Sequence, residues 1–174
     1  IAAGLGIQGQ IGTAYLAKFG SDEQKARWLR PSIAGELITA WGLTEPDAGS
    51  DVRAIRTTVR ADGDEFVLNG RKTFITNGPI AGVVGVVAKQ AEDRFAVFMV
   101  EADDAGYSVE RTLSKLGCRS SQVGELVFEN VRLDASRRLS PPEGSSIDAI
   151  LDVLIRGRVL IAAASLGVAG AAFD

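Results

Sequence analysis

The stretch Thr44-Glu45-Pro46-Asp47-Ala48-Gly49-Ser50-Asp51 gathers hydroxyls, carboxylates and a glycine on consecutive positions. Pro46 fixes one φ and Gly49 can take a positive φ, so the amides near Ser50 could form a concavity that binds an anion such as a phosphate. Composition alone favours a plainer reading, a turn that feeds a strand. Phe74 and Thr76 sit two apart on a predicted strand and so share a face, an aromatic plane beside a hydroxyl. Such a pair could support a flat heterocycle and hydrogen-bond its edge; the alternative is an aromatic packed in a barrel core. Arg158 falls four residues after Leu154 and three before Ile161, on the predicted buried stripe of a helix. A guanidinium there needs an anion, which a ligand phosphate or carboxylate or an acidic side chain would supply equally well.

The residue types that are missing narrow the chemistry. The chain has no histidine and one cysteine, Cys118, which excludes Ser-His, Cys-His and His-metal sites as well as an internal disulfide, and no metal site is expected. A formal charge of -3 argues against an electrostatic nucleic-acid binder. With 46% hydrophobic and 24% charged residues the chain can bury a core. Gly4-Leu5-Gly6-Ile7-Gln8-Gly9 matches a dinucleotide fingerprint, but no strand precedes it, and a helix with small residues for close packing is the better reading. The apolar run from Val159 to Phe173 is shorter than the roughly 20 residues of a membrane span and is interrupted by Ser165, Gly167 and Gly170. It reads as a buried bundle helix, so no span is expected. No targeting peptide is legible. A start at Ile1 and an uncapped apolar pattern from Ala162 to Asp174 lead us to expect a piece of a longer protein.

The elements that must position these residues follow from periodicity. Ile1, Leu5, Gln8, Ile11 or Gly12, Tyr15 and Phe19 fall near helical spacing. Ser21-Asp22-Glu23-Gln24 has the capping-box form, predicting a short helix to about Arg30, stopped by Pro31. After Thr44 the period changes. Strands are predicted at Val52 to Arg60, Glu65 to Leu68 and Arg71 to Thr76, with Asp62-Gly63 and Asn69-Gly70 as tight turns of an antiparallel meander. Further strands are predicted at Gly82 to Lys89, Phe95 to Glu101, Tyr107 to Arg111 and Glu125 to Leu133. Short strands at this spacing must close or stack, which gives an α+β fold: a central antiparallel β-barrel or sandwich flanked by truncated helical-bundle segments. Pro141, Pro142, Gly144 and two serines form a linker, and Ile147, Ile150, Leu151, Leu154, Ile161, Ser165 and Leu166 make one helical stripe. The expected organisation is 1–42, the end of a helical domain; 43–140, a β-domain; and 141–174, the start of a second helical domain.

Taken together, five segments resemble the acyl-CoA dehydrogenase family: Gly20-Ser21-Asp22-Glu23-Gln24-Lys25; Trp41-Gly42-Leu43-Thr44-Glu45-Pro46-Asp47-Ala48-Gly49-Ser50-Asp51; Leu68-Asn69-Gly70-Arg71-Lys72-Thr73-Phe74-Ile75-Thr76-Asn77-Gly78; Lys115-Leu116-Gly117-Cys118-Arg119-Ser120-Ser121; and Leu126-Val127-Phe128-Glu129-Asn130-Val131. Their order and spacing are the family's and extend over nearly the whole chain. The resemblance implies an FAD enzyme that dehydrogenates an acyl-CoA thioester to the trans-2-enoyl product. In that reaction a carboxylate removes the α-proton while the β-hydrogen leaves as hydride to flavin N5. It further implies a homotetramer or homodimer that passes electrons to an electron-transfer flavoprotein or similar acceptor. The location implied is the bacterial cytoplasm, which is preferred, or the mitochondrial matrix.

The resemblance also implies roles for single residues. Trp41, Leu43 and Thr44 contact the flavin, the last two at its pyrimidine edge. Gly49 and Ser50 lie by the FAD pyrophosphate, and Ser50 also faces the thioester ligand. Phe74, Ile75 and Thr76 line the ring with the Thr76 hydroxyl near N5, and Arg158 lies near the acyl-CoA. Where some members carry the base as a glutamate before that arginine, this chain has Gly157. The base is therefore expected after Asp174 and no catalytic residue within the chain. Phe74 replaces a frequent tryptophan, and the loop Gln90 to Arg94 is short for the family. Three alternatives share the resemblance: a flavin monooxygenase or oxidase, an acyl-carrier-protein thioester dehydrogenase, and a non-catalytic paralogue that binds flavin or an acyl ligand.

Overall fold

The computed structural model describes residue 6 and residues 12–139 and 145–173, without the side chains at 149, 153 and 156. Helix α1 (Thr13–Phe19) buries Tyr15 and Leu16 and ends at Gly20, whose N–H donates to the Leu16 carbonyl at 2.8 Å. The capping box is present: Ser21 Oγ accepts from the Gln24 N–H at 3.2 Å while Gln24 Oε1 accepts from the Ser21 N–H at 2.9 Å. It opens α2 (Asp22–Gln24). Pro31 does not stop this helix. The chain passes through a π-helical turn (Lys25–Leu29) into α3 (Arg30–Ala34), where Pro31 stands in the first turn of the resumed α-helix and its missing N–H is tolerated. Gly35, at φ 80°, ends it instead.

Seven strands follow: β1 (Thr39–Gly42), β2 (Thr58–Asp62), β3 (Glu65–Thr76), β4 (Val83–Ala91), β5 (Arg94–Glu101), β6 (Tyr107–Thr112) and β7 (Val123–Asp134). They form one sheet in the order β1-β4-β2-β3-β7-β6, with β5 also paired to β4. The sheet is mixed rather than wholly antiparallel. β4 runs parallel to β1 over Thr39↔Val83 to Gly42↔Val86, and parallel to β2 at Thr58↔Lys89. β4 is buried on both faces, as its unbroken apolar run Val83-Val84-Gly85-Val86-Val87-Ala88 requires. Val84, Val86 and Ala88 join Leu68, Phe98, Leu126 and Phe128 in a core enclosed by the curled sheet. Val83 and Val87 face the helices, packing in a second core with Tyr15, Trp28, Trp41, Ile147 and Ile150.

Two predicted features of the meander are overturned. Asn69-Gly70 is no hairpin turn: β3 continues through it, with a bulge between Leu68 and Gly70 against β7. The Asn69 side chain accepts the Asn130 N–H at 2.8 Å and so stitches the irregularity to the facing strand, where Asn130 has φ 52°. Gly70 lies at φ 153°, and a Cβ there would sit 2.3 Å from Thr57 Oγ1. The strand expected from Val52 begins only at Thr58, because Val52–Ala54 is a 3-10 turn capped by Asp51. The Arg56 and Thr57 N–H groups are also engaged by a carboxylate, not by a neighbouring strand.

Helix α4 (Ile147–Phe173) buries Ile147 and Ile150, but Ile161 is 64% and Leu166 75% exposed, so the predicted stripe is buried only in its first turns. Arg158 is exposed, against the expectation that it lies on a buried stripe, because nothing among the described residues covers this half of the helix. From Ile150 to Phe173 the helix has 24 residues, so it is long and apolar enough to cross a membrane by length and composition; the expected shortfall in length does not hold. Of the predicted linker, Ser145 pairs with Phe95 in a bridge, while Pro141, Pro142 and Gly144 lie outside the described residues. So do Ile1, Leu5, Gln8 and Ile11, and all of the Gly4 to Gly9 run except Gly6, which is helical.

Gly70→Ala should lower stability by about 2–4 kcal/mol, combining a strained φ with a clash against Thr57 backbone. Urea unfolding of the variant checks this, and a change below about 0.5 kcal/mol would show that the bulge relaxes freely.

Candidate functional site

β1 carries Trp41 to the helix-facing side of the sheet, where it is 8% exposed and its ring lies 5.0 Å from that of Tyr15. Gly85 on β4 makes the room: a Cβ there would come within 2.8 Å of the indole. The Trp41 Nε1 is buried without a hydrogen-bond partner among the described residues. Leu43 is buried next to it, and Thr44 is half-buried. The chain then reverses, with Glu45 and Ala48 exchanging backbone bonds of 2.9 and 3.2 Å. Gly49 and Ser50 follow, both exposed. Gly49 does not use the positive φ open to it.

Beneath this turn lies an ion pair that motif reading missed. Lys72 on β3 has no exposed side-chain surface, and Glu45 only 5%. Lys72 Nζ donates to Glu45 Oε1 at 2.7 Å and to the Leu43 carbonyl at 3.1 Å. The carboxylate also accepts the N–H groups of Arg56 at 2.6 Å and Thr57 at 3.0 Å. Burial by itself would raise the Glu45 pKa; the Lys72 charge and the hydrogen bonds from Lys72, Thr57 and Arg56 outweigh it and hold the carboxyl below its usual range. Burial pulls the Lys72 ammonium down to about 8, against the opposing pull of Glu45. Reading Asn69-Gly70 as a turn hides this pair in the sequence, since alternation from Leu68 through Gly70 along the unbroken strand places Lys72 on the same face as Leu68, paired with Leu126.

Past Lys72 the same strand presents the remaining residues. The Thr73 N–H donates to the Thr44 carbonyl at 2.9 Å, joining β3 to the turn. Its hydroxyl donates to Glu125 at 3.1 Å, and Glu125 is held by both arms of Arg111 at 2.8 Å. Phe74, at φ 56°, is 65% exposed, which overturns the reading of an aromatic packed in the core. Ile75 is 3% exposed and belongs to the inner core, and Thr76 is half-buried. Thr44, Phe74 and Thr76 thus keep exposed surface on segments joined at Thr44 and Thr73, whereas Trp41 and Leu43 are buried in the outer core and Ile75 in the inner one. Arg158 is exposed on α4 and makes no contact with this group among the described residues.

The family model for the acyl-CoA dehydrogenase middle domain matches residues 40–131, and that for the N-terminal domain matches residues 1–36. The chain belongs to the acyl-CoA dehydrogenase family. It is 39% identical over 168 residues to the 3-(aryl)acrylate reductase of Clostridium sporogenes, covering 94% of this chain and 44% of that protein. It is 38% identical to the short-chain specific acyl-CoA dehydrogenase of Clostridium acetobutylicum, covering 89% and 42%. Among solved structures, a glutaryl-CoA dehydrogenase from Mycobacterium smegmatis in complex with FADH2 superposes with a TM-score of 0.83 at 39% identity, over 90% of this chain and 40% of that one. The chain therefore spans less than half the length of these relatives. The α+β architecture expected from the resemblance is the one observed, with the sheet mixed and partly closed.

Removing one partner of the buried pair leaves the other as an uncompensated charge, so Lys72→Met should destabilise this acyl-CoA dehydrogenase fold by about 3–5 kcal/mol in urea unfolding. Glu45 also sets a pH dependence. With its folded pKa below its unfolded value, its stabilisation is complete above the unfolded value near 4.5 and is lost as pH falls through the folded one. Glu45→Gln should therefore flatten the acid limb of the stability profile; an unchanged limb would show that other carboxyls set it.

Proposed function

We propose that this chain supplies the flavin-facing wall of an FAD-dependent acyl-CoA dehydrogenase. The observation that carries the reading is Phe74, an aromatic ring exposed at a positive φ on β3, next to Thr73, which is bonded to the half-buried Thr44, and two residues before the half-buried Thr76. A non-glycine residue at that φ is uncommon and persists where its surroundings enforce it. Here the enforcing groups are the bulge, the Thr73–Thr44 bond and the buried pair below. A flat apolar platform edged by hydroxyls fits an isoalloxazine ring. In this reading Trp41, Leu43, Thr44, Phe74, Ile75 and Thr76 form the ring's surroundings, Gly49 and Ser50 meet the pyrophosphate, and Ser50 and Arg158 meet the thioester ligand. When bound, FAD supplies the hydride acceptor for α,β-dehydrogenation. This chain's own residues bind and orient: the Thr76 hydroxyl donates to or accepts from the ring edge, and the Arg158 guanidinium supplies positive charge for an anionic ligand.

The same reading assigns residues 1–42 to the end of a helical domain, 43–140 to the β-domain and 141–174 to the start of a further helical domain. It places the catalytic carboxylate outside these residues, since Gly157 occupies one position the family uses. The acceptor is an electron-transfer flavoprotein or a similar protein, the assembly a homotetramer or homodimer, and the location the cytoplasm. A second reading, reduction of an α,β-unsaturated acyl group, draws support from the similarity to the arylacrylate reductase. Anaerobic bleaching of bound flavin by a saturated acyl-CoA favours dehydrogenation. Reoxidation of dithionite-reduced flavin by an arylacrylate, without such bleaching, favours reduction.

Two substitutions in the complete protein test the roles. Thr76→Val should slow reduction of the bound flavin by acyl-CoA about tenfold or more with little effect on folding, read by stopped-flow absorbance; an unchanged rate and spectrum would remove Thr76 from the ring edge. Arg158→Ala should raise the Kd for acyl-CoA while leaving that for FAD unchanged, and the reverse order would make Arg158 a structural residue. A parent protein that stays colourless after incubation with FAD would sink the reading as a whole.

A further inference from the structure

The buried pair does more than neutralise itself, because one of its bonds fixes a peptide plane. Lys72 Nζ donates to the Leu43 carbonyl at 3.1 Å. The Leu43–Thr44 peptide is trans, as are all those described, so that carbonyl and the Thr44 N–H point in opposite directions across one rigid plane. With the carbonyl drawn inward to a side chain that has no exposure, the Thr44 N–H is turned outward, on the side where Thr44 is half exposed. That N–H makes no backbone hydrogen bond among the described residues. The following peptide is held as well: Thr44 O accepts from the Thr73 N–H at 2.9 Å, and Glu45 N donates to Ala48 O at 2.9 Å. Glu45 keeps Lys72 in place and is itself anchored by the Arg56 and Thr57 N–H groups. Every link from the sheet interior to this amide is thus a short bond to a fixed group.

We propose that Lys72 and Glu45 are positioning residues that aim the Thr44 N–H at a carbonyl oxygen of the bound flat heterocycle. The proposal rests on the flavin-binding reading above. Neither side chain touches the ligand; they act through the Leu43–Thr44 peptide. A donor oriented before binding spares the ligand the cost of ordering it, which is the general source of tight binding at preorganised polar sites.

The test uses the complete protein in two arms. In the wild type, the Thr44 amide should exchange freely with deuterium in the apoprotein and become protected on addition of FAD, while the Thr73 amide is protected in both states. An exchange rate at Thr44 that FAD leaves unchanged overturns the proposal. In the second arm, Lys72→Met with Glu45→Gln removes the charge pair while keeping stem volume and an acceptor for the Arg56 and Thr57 amides. This double variant should bind FAD about tenfold more weakly. The infrared carbonyl bands of its bound flavin should move toward their free-solution positions, a shift that a merely structural role would not produce. Unchanged affinity and unchanged bands in a folded double variant overturn it. A wild-type protein that takes up no flavin overturns the functional reading, whereas uptake with unprotected Thr44 overturns this inference alone.

Discussion

The arrangement around the candidate site depends on a charge that has been taken out of water. A lysine with no exposed side-chain surface pays several kcal/mol in desolvation, and its attraction to a carboxylate 2.7 Å away recovers that only when the other polar atoms of the pair are satisfied. Here they largely are, by one carbonyl and two amides. The three partners come from Leu43 before the turn and from Arg56 and Thr57 after it, so the pair fastens both ends of the segment 43–57 to the middle of β3. An apolar pair of similar volume could fill the space, but it could not tell one placement of that turn from another. The pair's contribution is therefore to register more than to net stability.

Register matters because β3 is irregular where it meets the site. Two bulges interrupt its ladder with β7, the first at Leu68/Gly70 and the second at Lys72/Ile75. The first carries its extra residue on β7, so β3 keeps its alternation from Leu68 to Lys72; the second carries it on β3 and shifts which face the following side chains take. Beside the first, Gly70 lies against Thr57; the second turns Phe74 out to solvent while Ile75 stays in the core. A strand without the second bulge would place its aromatic by simple alternation, and the exposed ring would need another origin. The Thr73 bonds to Thr44 and to the Glu125–Arg111 pair hold the bulge from both sides.

The uneven legibility of the sequence has the same cause. The capping box at Ser21 to Gln24 and strands β4 to β7 were readable because they depend on local spacing alone. Asn69-Gly70 signals a turn in sequence, yet the dipeptide reports only a tolerance for unusual φ, which a bulge uses as readily as a hairpin. Pro31 signals a helix end in sequence, but a π-helical turn upstream lets the helix continue through it. Lys72 and Glu45, 27 positions apart, carry no pattern that links them, and only the fold brings them to contact. The residues of the candidate wall were found through family resemblance; composition and spacing by themselves favoured an ordinary turn and a core aromatic.

Arg158 shows where local reasoning and tertiary context separate. The stripe that includes it is helical in period, and its first members, Ile147 and Ile150, are buried against β-sheet residues such as Val97 and Met99 in the outer core. Burial then ends while the helix goes on, leaving Ile161, Leu166 and Phe173 exposed. Amphipathic period predicts that a stripe seeks cover, not that this chain provides it. The backbone ladder of an α-helix is satisfied internally, so α4 needs no covering partner for its hydrogen bonds, only for its apolar face. The segments that carry Thr44, Phe74 and Thr76 differ in this respect. Their backbone is set by sheet hydrogen bonds and by the buried pair, both supplied by neighbouring strands and turns, whereas Arg158 stands exposed on its helix.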